Sequence, residues 1–197
     1  MNFRKLVFTD RVNLILFSVF LLSFFLLIGS FIMTGGIVSI DTLSNVSVSK
    51  YLAINFGGNL SEGIQFGNVV FLPATDVNAT HNYDGAFNGT TYTIDVSNDS
   101  NSDVDFCIKA NAGLTSSAMD VIGLSNETYS AYLMTNLTHP LLSNETPLTT
   151  SYIKAQSDIG IGNSSYWRFW LDIPSAQPAG DYNNTVSFQA VNVGNLC

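Results

Sequence analysis

SYWRFWLDIPSAQPAGDYNNTVSFQAV, residues 165–191, reads as two β-strands and the corner between them. In its first half Trp167, Phe169, Leu171 and Ile173 fall on one face, and Tyr166, Arg168, Trp170 and Asp172 on the other. That period of two belongs to a strand with one face in a core. PSAQPAGDY has the prolines and glycine of a turn. The second half returns with Val186, Phe188 and Ala190 inward. Tyr182 follows Pro178-Ala179-Gly180, where a tyrosine corner would tie a loop to a sheet; an ordinary core tyrosine is the alternative.

The same period recurs upstream. TTYTIDV puts Tyr92, Ile94 and Val96 on one face, and VDFCIKA does so with Val104, Phe106 and Ile108. Across the turn-rich NDSNSD the two predict a β-hairpin. NVSVSKYLAINF alternates through Val46, Val48, Leu52, Ile54 and Phe56, with only Lys50 spoiling the inner row. GIQFGNVVFLP is a second apolar run with a bulge or turn at Gly67 and its end at Pro73. PATDVNATHNYDGAFNGT reads as a long polar surface loop. MDVIGL and TYSAYLM look like strands, and LTHPLLSNETPLTT like a loop. Short strands at this spacing predict an all-β fold, an antiparallel β-sandwich of jelly-roll or Ig-like kind, rather than βαβ units.

In front of the strands stands VNLILFSVFLLSFFLLIGSFIM (12–33), 22 residues without a charge. As a helix it would run ~33 Å, the hydrocarbon thickness of a bilayer. The expected organisation is a basic cytoplasmic N-terminus (1–11), a transmembrane or signal segment (12–33) and an extracytoplasmic sandwich domain (34–197). Residues 1–11 carry +2, whereas four cations against fourteen acids leave −10 beyond Met33. Positive charge stays inside, so the domain faces out, held at the cell membrane or secreted to the cell surface. The length favours a retained anchor. A cleaved signal is the alternative, since small residues follow at Gly29-Ser30 and Thr34-Gly35-Gly36. The acidic balance speaks against nucleic acid, because no basic patch exists to neutralise phosphates.

Two cysteines, Cys107 and Cys197, in an exported chain predict one disulfide, with two free thiols as the alternative. It would close a loop of about 90 residues and contribute roughly 4–5 kcal/mol in the chain-entropy treatment. N-x-S/T sequons begin at Asn45, Asn59, Asn78, Asn88, Asn98, Asn126, Asn136, Asn144, Asn163 and Asn183. So many in one domain suggest a glycosylated surface.

Catalytic and metal signals are weak. Asp99, Asn101, Asp103 and Asp105 resemble the start of a calcium loop, but Val104 and Ala110 hold the glycine and closing-glutamate places. A solvated turn is the plainer reading. His81 with Asp84 would be half of a base or ligand pair, with His139 the only other histidine. Trp170 and Tyr166, opposite the core row, would make a sugar platform or a subunit contact, with packing under a neighbouring strand the plainer reading. No nucleophile elbow, HExxH, P-loop or dinucleotide motif occurs. Neither a catalytic residue nor a cofactor or metal is expected.

Taken together, the apolar segment, GIQFGNVVFLP, VSNDSNSDVDF and LDIPSAQPAGDYNNTVSF resemble small archaeal surface proteins. These are similar to the TasA/camelysin kind of matrix-fibre and bundling-pilus subunit. The resemblance implies a jelly-roll-like sandwich completed by the N-terminal strand of the next subunit. Here the donor would be residues 37–49, with Ile37, Val38, Ile40, Val46 and Val48 as its apolar row, and the partners copies of the same chain. The expected function is a non-enzymatic cell-surface glycoprotein with a structural or adhesive role, a donor-strand filament subunit being one form of it. A membrane-anchored carbohydrate- or metal-binding module is the alternative, and an enzyme built around His81 a third.

Overall fold

A computed structural model describes residues 3–32 (side chains for 11–27), 43–82, 92–133 and 139–197. The chain divides into two compact units, Met1–Ser47 and Val48–Cys197. The first holds helix α1 (Phe3–Ile32), whose described side chains, residues 11–27, are all exposed. Leu14 is 73% exposed and Phe25 66%. Among the described residues no helix is long and apolar enough to cross a membrane. The helix expected at 12–33 is therefore present, while the described part falls short of the expected span.

The second unit is built of antiparallel strands. They are β1 (Ile54–Phe56), β2 (Ala74–Asn78), β3 (Tyr92–Val96), β4 (Val104–Ala110), β5 (Leu114–Ser116) and β6 (Val121–Ile122). β7 (Glu127–Leu133), β8 (Thr146–Pro147), β9 (Ile153–Ile159), β10 (Ser164–Ile173), β11 (Tyr182–Asn183) and β12 (Val186–Asn192) complete the set. A single helical turn, α2 (Gly58–Ser61), follows β1. One sheet runs β1-β3-β10-β7-β8 with β2 also on β10; a second runs β12-β4-β9, and a small third β11-β5-β6. The all-β class holds.

The two main sheets share one core. Tyr92, Ile94, Tyr129, Trp167 and Phe169 come from the first, and Val104, Phe106, Ile108, Ile159 and Phe188 from the second. Trp167 is fully buried and meets Phe106 edge-on at 6.2 Å and Phe188 at 5.1 Å. Such edge-to-face contacts across the layer are the favoured aromatic geometry. The expected face of β10 is the observed one. Its other face is covered too, with Tyr166 5% and Trp170 2% exposed.

Three readings of the sequence change. The runs at 92–96 and 104–110 are not a hairpin: β3 pairs with β1 and β10, β4 with β9 and β12. The turn between them carries the chain from one sheet to the other, and alternation is the same in both arrangements. NVSVSKYLAINF is strand only at Ile54–Phe56. Residues 43–50 are all exposed, with Val46 at 87% and Val48 at 79%. The supposed polar loop after Pro73 contains β2, paired with β10 through Trp170↔Asn78 and Leu171↔Val77. Its residues are polar because β2 is short, part-exposed and at the sheet margin.

β10 changes partner part-way along, from β3 at Ser164–Trp167 to β2 from Trp170 on. Phe169 sits in the gap. Asn82, 1% exposed, fills it: its Oδ1 accepts from the Phe169 N–H (2.8 Å) and its Nδ2 donates to the Phe169 carbonyl (2.5 Å). A side-chain amide here takes the place of a strand rung.

Candidate functional site

The feature that stands out is an open sheet margin. β12 pairs with β4 over Val186↔Ala110 to Asn192↔Val104, and among the described residues it has no strand on its other side. The main-chain N–H and C=O groups of that outer edge are a template for another strand. Beside the edge lies a groove of about 870 Å³, walled by Phe56, Leu60, Phe66, Leu171, Val186 and Phe188. Phe56 of β1 touches Phe188 of β12 edge-on at 5.5 Å, closing the floor between the two sheets. The groove is thus the uncovered margin of the core.

Two acids line this groove, Asp181 on its exposed rim and Glu127, which is buried. Glu127, the first residue of β7, shares the inward parity of Tyr129 and Ala131 and is 1% exposed. Its Oε2 accepts from Asn184 Nδ2 at 2.6 Å. Burial pushes the carboxyl above its ordinary value, against the opposing Asn184 hydrogen bond. No cation pairs with it among the described residues. Reading the strand from Thr128 onward hid this residue; a glutamate two places before an inward tyrosine was the available signal.

The wall opposite β12 includes the segment after α2. There Gly67 has φ +69°, and Val70 and Phe71 are 75% and 84% exposed. GIQFGNVVFLP is accordingly a turn-bearing apolar segment, not a strand. The remaining rim is the 174–181 turn. Tyr182 fastens it, donating its hydroxyl to the Pro178 carbonyl (2.7 Å) and accepting from Gln177 Nε2 (2.8 Å). That is the tyrosine-corner arrangement.

The predicted disulfide is present, Cys107 to Cys197, with Cα atoms 5.8 Å apart. Cys107 is fully buried in β4. Next to it Asp105, 1% exposed, gathers three donors: Lys154 Nζ (2.5 Å), Asp158 N–H (2.9 Å) and Gly194 N–H (3.0 Å). Burial raises its pKa, but these bonds together outweigh burial and hold it below the ordinary carboxylate value.

The other expected groups scatter. Asp103 accepts from Ile161 N–H, Asn101 hydrogen-bonds the 49–51 backbone, and Asp105 is buried on the far face of β4 with Lys154, so the calcium-loop residues do not converge. Among the described residues no three His, Cys, Asp or Glu side chains are placed to hold a metal. His81 lies 3.7 Å from Glu62 and edge-on to Tyr92; Asp84 is outside the described residues. The sugar platform is corrected by burial: Trp170 Nε1 donates to Asn78 Oδ1 (2.9 Å) and Arg168 lies over its ring. Of the sequon asparagines, Asn45, Asn78, Asn98, Asn144, Asn163 and Asn183 are exposed, and Asn59 and Asn126 half-buried. Asn88 and Asn136 lie outside the described residues, as do Ile37, Val38 and Ile40 of the expected donor strand.

Comparison with protein-family models, curated proteins and solved structures gives no match.

Proposed function

We propose that this chain is a non-enzymatic cell-surface structural protein whose sandwich is completed by a strand from a second copy of itself. The observation that carries the reading is the unpaired β12 edge running along an apolar groove. Strand addition would satisfy that edge with main-chain hydrogen bonds and fill the groove with alternate side chains. The complementary segment belongs to the same chain. Residues 43–50 are exposed, and Val46 and Val48 form an apolar row without a partner. Val38 and Ile40 extend that row in the sequence, with Ile37 beside them on the other face.

The apolar run at 12–33 serves in this reading as the membrane anchor or export signal. Its support is the uncharged length, the basic residues before it and the exposure of its described side chains. The exposed sequons fit a glycosylated exterior.

Electron microscopy of native surface material should show polymers. A cysteine scan over residues 44–48 against Ala190→Cys should give covalent subunit ladders on non-reducing gels. Monomeric, cytosolic protein with no ladder at any position would remove the proposal.

A further inference from the structure

Beyond Met33 the sequence has four cations, Lys50, Lys109, Lys154 and Arg168. Three are engaged: Lys109 lies over the Tyr152 ring, Lys154 holds Asp105, and Arg168 donates to the Pro140 carbonyl and covers Trp170. Lys50 is exposed, and no ion pair or ring contact involves it among the described residues. The same unit buries one acid, Glu127, against an open groove with an amide as its side-chain partner. A buried carboxylate without a cation is costly, and a cation delivered into the groove relieves that cost.

We infer that Lys50 of one subunit enters the groove of the next and pairs with Glu127, fixing the register of the donated strand. This rests on the strand-donation reading and adds the residue pair that sets its alignment. The parity is right. Lys50 continues the row of Val46 and Val48, so all three would face the groove from a strand laid on β12. In an antiparallel addition, Lys50 against Val186 places Val48 against Phe188 and Val46 against Ala190. Val186, Phe188 and Ala190 are the residues of β12 that face the core. Glu127 lies at the matching end, because its partner Asn184 precedes Val186 by two residues, ~7 Å along a strand. A slip of one residue would turn the whole row outward, and a slip of two would leave Glu127 facing Val48. The position that spoils the apolar row is then the one that specifies it.

The test is the concentration dependence of self-association of the full chain in mild detergent, by sedimentation velocity. The variants are Lys50→Met, Glu127→Gln and both together. Each single change should weaken association about 30-fold or more, as for a desolvated interface ion pair losing one partner. The double variant should be no weaker than the worse single one. Lys50 is exposed, so Lys50→Met tests the pairing even if Glu127→Gln folds poorly. Wild-type association in Lys50→Met, with the cysteine ladder to Ala190 retained, overturns the pairing and leaves strand donation standing. Additive losses overturn it too. A wild type that stays monomeric at every concentration, with no ladder, removes strand donation and the pairing with it.

Discussion

Asn82 shows how much one side chain can carry. It alone accepts from the Phe169 N–H and shares the Phe169 carbonyl with the Ala79 N–H, where neither β3 nor β2 has a rung on β10. Asn82→Ala leaves a buried N–H without a partner and should cost about 1–3 kcal/mol, read from denaturant unfolding. The two buried acids act oppositely with pH. Asp105 has a folded pKa below its ordinary 3.8, so its stabilisation is present above that value and lost as pH falls through the folded pKa. Asp105→Asn should flatten the acid limb of the unfolding midpoint. Glu127 has a folded pKa above its ordinary 4.5, so stability falls as pH rises from 4.5 through the raised value. Glu127→Gln in the unassembled subunit should abolish that fall. Asn82 does not announce itself in the sequence and Glu127 does so only through its parity with Tyr129, since the burial of each is decided by strands far away in the chain.

At the level of elements, β10 and β12 were legible because their side chains alternate over seven residues or more with aromatic inner rows. Trp167→Ala, at the centre of that row, should cost about 3–5 kcal/mol in the same unfolding measurement. The disulfide was legible from compartment and an even cysteine count, and Tyr182 from the Pro and Gly before it. What alternation does not encode is the neighbour. β3 and β4 satisfy the pattern of a hairpin while lying in different sheets, because their later partners, in β10, β9 and β12, come from 45 residues or more further on. Residues 45–50 alternate as cleanly, yet among the described residues they pair with no strand, and Asn101 holds only the Ser49 carbonyl. In that segment the pattern points outward. β2 was missed for the opposite reason: a short marginal strand has too few buried positions to show a period.

For the whole molecule, the all-β class and the two-layer core followed from strand spacing and aromatic rows, while the open margin at β12 did not. Which strands end a sheet depends on the complete set of pairings. The bond between Cys107 and Cys197 has a mechanical corollary. It makes residues 107–197 a closed covalent ring, and everything between Val48 and Cys107 a single lead into it. A pull between residue 48 and residue 197 can pay out only the lead, about 60 residues or roughly 200 Å of contour at 3.3–3.6 Å each. With the bond reduced, about 150 residues and roughly 500 Å become available. Optical-trap extension of the oxidised and reduced domain should separate these two lengths. Under load the three residues of β1, at the sheet margin, open first, and the ring holding Trp167 and the β12 edge stays short.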